Sequence, residues 1–191
     1  MRSEIVAAAL ESFHTQGYSV GVKDITDAAG VPKGSFYNHI GSKEEMAVEA
    51  LAQYAATLGL AELADESVPP LSRLRAHFER LAGQVRGRGY TRGCMLGNFA
   101  AEAADHSTLI RGAVAAGYDG WTELITAAIS QAQHDGTVAS QLDPVVAARF
   151  LINAWEGALL GARAARTEDS LAAFFTTVFD VLLRPGSGDG G

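Results

Sequence analysis

The residues best suited to chemistry lie together near the N-terminus. Between Val31 and Lys43 the chain carries Lys33, Gly34, Ser35, Tyr37, Asn38, His39 and Lys43, with no carboxylate among them. Ammonium groups, hydroxyls and an amide at this density can donate to phosphate oxygens or meet base edges. Gly34 lets a backbone come close to a groove. The stretch is locally basic in an acidic chain: 191 residues hold 15 Lys and Arg against 22 Asp and Glu, a net charge of −7. That balance excludes a generally basic nucleic-acid coat and leaves room for a small local binding surface.

Other chemistries find no matching pattern. There is no His-Glu-x-x-His, nucleophile elbow or phosphate-binding loop, and the glycines from Gly87 to Gly93 follow a helical stretch rather than a strand. Five scattered histidines and one cysteine make no metal-ligand spacing. A Cys94–His77 or Cys94–His106 pairing is the one catalytic arrangement the sequence leaves open. The expectation is a protein with no catalytic residues, no metal and no cofactor, and not an enzyme. A single cysteine excludes an intramolecular disulfide and fits a reducing cytoplasm. No export signal is expected, because Glu11 interrupts the apolar run from Ile5 to Leu10. The richest apolar stretch, Val145 to Ala165, contains Arg149, Asn153, Glu156 and Arg163. It falls short of the roughly 18 uninterrupted apolar residues of a spanning helix and reads as a buried helix.

The elements that must position these residues are helical, and no segment alternates as a strand would. Residues 4–16 place Ile5, Val6, Ala9, Leu10 and Phe13 on one side, and Gly17 ends the run. A short helix over 23–29 turns Ile25, Ala28 and Ala29 inward. After the break at Ala29-Gly30-Val31, Pro32 opens a helix to about Ile40, with Phe36 and Ile40 inward. Ser42 with Glu45 three residues on is a capping box, so a long helix starts at Lys43 and runs to about Leu63. Further helices are expected over 71–86, 94–104, 107–134, 144–166 and 170–183, with Asp143-Pro144 as N-cap and N1 of the penultimate one. The tail from Pro185 has nothing to pack and is expected to be disordered. The fold class is thus all-α. A three-helix unit (1–42), which reads as helix-turn-helix, is expected to join a larger helical body (43–184), about nine helices in all, followed by a tail (185–191). The helix from Lys43 is shared, so movement in one part reaches the other.

The run Ala29-Gly-Val-Pro-Lys-Gly-Ser-Phe-Tyr-Asn-His-Ile-Gly-Ser-Lys-Glu44, with Gly17-Tyr18 and Asp24-Ile25 in register upstream, resembles the DNA-binding signature of the tetracycline-repressor (TetR) family. The resemblance spans residues 4–50. It implies an all-α homodimeric transcription factor of the cytoplasm, usually a repressor released from operator DNA by a small molecule. Carried over by position, Lys33, Ser35 and Asn38 would face the major groove, while Tyr37, His39 and Lys43 would hold phosphates. Gly34 and Lys23 complete the expected DNA-binding set. Three positions depart from the pattern: Ile40 replaces an aromatic, Gly21-Val22 replaces a capping Ser or Thr, and the basic N-terminal arm is reduced to Arg2.

In the body, Gly93-Cys-Met-Leu-Gly-Asn98, Glu102, Asp105, Trp121 and Asn153-Ala-Trp-Glu-Gly-Ala158 are similar to the branch containing repressors of N-ethylmaleimide reductase and of acrylate metabolism. That similarity places Cys94 at a sensing cysteine, with Arg163 where the electrophile sensor has a lysine. By itself Cys94 reads two ways. Arg86, Arg88, Arg92 and a helix start favour a thiolate, yet a lone cysteine is commonly a small buried apolar residue. An apolar cavity is expected among the helices over 43–63, 71–86, 94–104, 107–134 and 144–166. The candidate ligand-binding residues are Phe78, Cys94, Asn98, Phe99, Glu102, Trp121, Trp155, Glu156 and Arg163. The arginines suit an anionic or electrophilic ligand, whereas Glu102 and Glu156 suit a cation. Homodimerisation is expected through the last two long helices, Val145 to Leu183. There Leu171, Phe174, Phe175, Val178 and Leu182 form an apolar stripe, and Ala158, Gly161, Ala162 and Ala165 allow close approach. The partners are then double-stranded operator DNA, a small-molecule inducer and a second copy, with no membrane. Two alternatives stand beside this reading: a thiol-based electrophile sensor acting through Cys94, and a helical ligand-binding protein that does not bind DNA.

Overall fold

A computed structural model describes residues 1–32, 34 and 40–185. Among them every regular element is helical, and no residue lies in a strand. The elements are α1 (Arg2–Gln16), α2 (Val22–Ala28), α3 (Lys43–Thr57), α4 (Leu60–Leu63), α5 (Pro70–Gly87), α6 (Met95–Glu102), α7 (Thr108–His134), α8 (Pro144–Ala165) and α9 (Asp169–Thr177). A π-turn over Val178–Leu182 closes the last one. The expected helix from Pro32, and the tail beyond Pro185, fall largely outside the described residues.

The chain divides into two compact units. The first is Met1–Leu58 with Cys94–Gly117, and the second is Gly59–Gly93 with Tyr118–Gly191. The first unit therefore takes in α3, α6 and the start of α7 beside α1 and α2.

In the first unit α1 buries Ile5, Val6, Ala9 and Phe13. Ile25, Ile40, Met46, Ala47, Ala50 and Leu51 join them in its apolar core, as do Met95, Leu96, Phe99, Ile110 and Val114 from the second stretch of the unit. Ala28, expected inward, is exposed, because α2 is only seven residues long and turns a single buried pair, Ile25 and Thr26, to the core. Ser42 caps the helix as expected, while Glu45 reaches back one residue beyond the cap. Ser42 Oγ accepts from Glu45 N–H at 3.1 Å, and Glu45 Oε2 accepts from Gly41 N–H at 2.9 Å. The helix it starts stops earlier than periodicity suggests. α3 ends at Thr57 because Gly59 takes the left-handed φ of 61°, which breaks the helix, and one turn, α4, follows; a Cβ on Gly59 would also strike the Arg80 guanidinium.

The second unit is built on an aromatic cluster. Phe78 of α5 has its ring centroid 5.3 Å from Trp155 of α8, 6.0 Å from Trp121 of α7 and 5.0 Å from Phe174 of α9. Asp143 caps α8 as expected, Oδ1 accepting from Val145 and Val146 N–H at 2.9 and 3.1 Å. The apolar stripe expected for dimerisation is largely used inside this unit. Leu171, Phe174 and Val178 are buried, because α9 folds back on α8. Gly161 serves the same corner: a Cβ there would strike Ser170 of α9. Ala158 and Ala162 are likewise buried within the chain. Among the described residues of this unit, the large apolar side chains that do reach the surface are Val68, Val145, Val146, Phe150, Leu160 and Val181. Among the described residues α8 alone has the length and composition to cross a membrane, yet it buries Leu151, Ile152, Trp155 and Leu159 in this core.

His77 sits in the same cluster with no exposed surface, and Trp121 Nε1–H donates to its Nε2 at 3.0 Å. Burial, with a smaller contribution from Arg80, pushes its pKa down from 6.5 to about 3. The unfolded chain takes up a proton as pH falls below 6.5, and the folded chain refuses it until about pH 3. This contribution to stability is complete above pH 6.5 and is lost as pH drops through that window. Replacing His77 with Phe should flatten the stability–pH curve between about pH 6 and pH 4 by up to about 1 kcal/mol per pH unit, as read by urea unfolding. Equal slopes in both proteins would contradict it. Ser42→Ala should cost about 1 kcal/mol through the lost cap, measured the same way.

Candidate nucleic-acid interface and its support

Of the expected DNA-facing residues, Lys33, Ser35, Tyr37, Asn38 and His39 lie outside the described residues, as does Phe36, which was expected to face inward. Gly34 is exposed, and a Cβ built on it would meet nothing within 4 Å. Packing within the chain thus places no demand for a glycine there. The helix before it, α2, has Gly21 as its N-cap and no side-chain cap bond, which agrees with the departure read at Gly21-Val22. Lys23 is exposed and ion-paired with Asp27 one turn on. Surface pairs of this kind are weak, so a phosphate can compete for the ammonium.

Lys43 is held more firmly. It is the first residue of α3, where backbone N–H groups and the helix dipole favour an anion. Its ammonium lies 4.4 Å from the centroid of the Tyr18 ring. Partial burial lowers its pKa from the ordinary lysine value. Tyr18 titrates above the ordinary tyrosine range, through burial first and the nearby Glu44 second. The ring therefore stays neutral and offers its face to the cation. Arg2, the remnant of a basic arm, is committed to Glu49 of α3 through two hydrogen bonds.

What holds Tyr18 was not evident from the sequence. α1 ends at Gly17 with φ 85°, a conformation that favours glycine. The next amide, Tyr18 N–H, donates to Glu102 Oε2 at 2.6 Å. A Cβ on Gly17 would lie 2.6 Å from that same oxygen. The Tyr18 ring joins Phe13 at 5.8 Å and Phe99 at 5.7 Å, and Phe13 meets Phe99 edge-on at 5.4 Å. Phe99 and Glu102 are both on α6. Two residues expected to face a ligand thus support the corner that holds Lys43. The Gly17-Tyr18 pair and an acid at the end of α6 are the only sequence signals of this contact, separated by 84 positions.

The other ligand candidates fall in two groups. Cys94, buried at 4% exposure, precedes α6 in the first unit, and half-buried Asn98 lies one turn further on. Phe78, Trp121, Trp155, Glu156 and Arg163 belong to the second unit. There the three rings make the aromatic core, Tyr118 O–H donates to Glu156 Oε1 at 3.0 Å, and Arg163 is half-buried. Among the described residues no three His, Cys, Asp or Glu side chains gather as metal ligands.

Residues 5–50 match the profile of bacterial regulatory proteins of the tetR family, and residues 70–178 match that of the tetracyclin repressor-like C-terminal domain. The transcriptional repressor DhaR of a Mycobacterium species is 35% identical over 96% of this chain and 92% of its own length. The transcriptional regulator AcuR of Cereibacter sphaeroides is 35% identical over 91% of this chain and 81% of its own. In three dimensions the chain is similar to the reduced form of NemR from Escherichia coli, with a TM-score of 0.84 and 27% identity over 96% of this chain and 98% of that one.

Removing the Glu102 carboxylate should loosen the Tyr18 corner. In Glu102→Ala the Tyr18 amide should exchange with solvent about tenfold faster, while Glu102→Gln, which keeps an acceptor oxygen, should stay close to wild type. Unchanged exchange in the alanine variant would show that the bond contributes nothing.

Proposed function

Since the chain belongs to the TetR family of transcriptional regulators, we propose that it represses its target genes from the cytoplasm as a homodimer on a near-palindromic operator. A small molecule bound in its C-terminal body releases it. The observation that carries this is the match along nearly the whole chain to a relative named as a repressor, joined to a helix-turn-helix segment whose polar residues lack a carboxylate. The DNA-facing residues in this reading are Lys23, Lys33, Gly34, Ser35, Tyr37, Asn38, His39 and Lys43. Two-fold pairing would set the two recognition segments about one duplex turn, or a small multiple, apart.

Dimerisation uses the outer faces of α8 and the C-terminal turn. Phe150 at 49%, Leu160 at 64% and Val181 at 68% exposure are side chains that self-pairing would remove from water. The inducer site draws on Phe78, Trp121, Trp155, Glu156 and Arg163 of the second unit. Induction proceeds by reversible binding. The thiol of Cys94 is buried, which suits a packing residue better than a solvent-accessible sensor. Catalysis has no part in this reading.

Selection from random duplexes at low salt should enrich one near-palindromic sequence, and the protein should run as a dimer at micromolar concentration. Recovery of no preferred sequence would refute the regulator reading, and a monomeric mass would refute the pairing. On the selected duplex, Lys43→Ala should weaken binding to all sequences and reduce the salt slope by about 1.

A further inference from the structure

Only three of the chain's 15 Lys and Arg residues are lysines, and the rest are arginines. The three run from Lys23 in α2, through Lys33, to Lys43, the first residue of α3. Every cationic side chain counted beyond Lys43 is an arginine. A guanidinium keeps its proton at any pH a folded protein meets, so it does not act as a nucleophile. A lysine amine that has lost its proton does. Chemistry aimed at lysine side chains therefore reaches this chain in the DNA-binding segment and nowhere in the second unit.

Lys23 and Lys43 lie among the described residues, and their settings differ. Lys23 has a 70% exposed side chain, and its ammonium is held by Asp27 one turn on. That hydrogen bond first, and the charge of Asp27 second, push its pKa up. An ammonium bound in this way seldom offers a lone pair. Lys43 is half-buried, and among the described residues no carboxylate lies within ion-pair distance of it. Burial pushes its pKa down. The Tyr18 ring, with its centroid 4.4 Å from Nζ, attracts the ammonium and limits this shift. No bonded carboxylate opposes loss of the proton as Asp27 does at Lys23. Phe13 and Phe99 hold the Tyr18 ring, so the amine rests against a fixed surface rather than swinging free in water.

From this placement we propose that Lys43 is a covalent modification site: its amine takes an acyl group from an acyl phosphate, and the acylated chain loses operator affinity. The Nζ lone pair attacks the carbonyl carbon and a C–N bond forms. The bond from that carbon to the phosphate oxygen breaks, inorganic phosphate leaves with the electron pair, and the proton of the amine passes to water. An acyl phosphate is small and already activated, so a half-buried amine can meet it without a partner enzyme. The product is a neutral amide. Acylation thus deletes the positive charge at the start of α3 and leaves a flat group that can still lie on the Tyr18 ring. The loss of affinity rests on the reading of Lys43 as a phosphate contact, whereas the modification itself does not.

The full-length protein is incubated with acetyl phosphate at mildly alkaline pH, and acetylation at each lysine is followed by peptide mass spectrometry. Lys43 should react about threefold or more faster than Lys23, since the free-amine fraction changes tenfold per unit of pKa. A Lys43 rate no higher than that of Lys23 would overturn the site. Sparingly acetylated protein is then mixed with a limiting amount of the selected operator duplex, and the bound and free fractions are separated and mapped. Acetylated Lys43 should be depleted about fivefold or more in the bound fraction. Equal amounts in the two fractions would overturn the effect on operator binding. Both readouts use the wild-type chain, so neither depends on a variant that folds. If the protein binds no duplex specifically, the regulator reading fails, and the comparison of rates still decides the modification site.

Discussion

The bond from Tyr18 N–H to the Glu102 carboxylate is the constraint on which the first unit depends. A helix end leaves backbone groups unsatisfied, and α1 ends where the chain must turn sharply toward α2. Gly17 provides the turn with φ 85°, and an ionised oxygen from a helix distant in sequence takes the next amide. The rings of Phe13, Tyr18 and Phe99 close over the same corner. Lys43 then rests on Tyr18 at the start of α3. A displacement of α6 therefore cannot leave the Tyr18 corner, or the ammonium set against it, unchanged.

The second unit is organised on a different balance. Its core is aromatic, yet α5 carries Arg73 and His77 into it on one face. Burying such groups is costly unless hydrogen bonds replace water. Most of that replacement is present: two loop carbonyls and Gln131 for the guanidinium, and the indole N–H of Trp121 for the imidazole. The bonds tie α5 to α7 and to the loop before it, so these polar side chains also specify how the helices register.

Much of the local architecture was legible in the sequence because its signals are local. Ser42 with Glu45, and Asp143 before Pro144, announce helix starts through bonds made within three residues. Spacing also announced the apolar face of α1. Contacts between distant segments were not legible. Glu102 looked like a ligand group because a carboxylate on an apolar helix needs a partner, and that partner was an amide 84 residues away. The stripe of Leu171, Phe174 and Val178 looked like a surface for a second copy, since periodicity shows that a face is apolar but not which helix covers it. α8 covers it within the chain. The break at Gly59 was hidden for a related reason, as the helical pattern continues through a glycine that takes φ 61° and packs where a Cβ would strike Arg80, a residue 21 positions on.

On the proposed reading, in which Lys43 holds an operator phosphate, the Tyr18 corner that sets Lys43 should set operator affinity. Its most direct test is the operator dissociation constant of wild type, Glu102→Ala and Glu102→Gln, each verified as folded and of wild-type oligomeric state. The account predicts that the alanine variant binds the operator about fivefold or more weakly, in line with the loss of one charge-assisted bond, and that glutamine restores most of the affinity. Equal operator affinity in wild type and Glu102→Ala would contradict it.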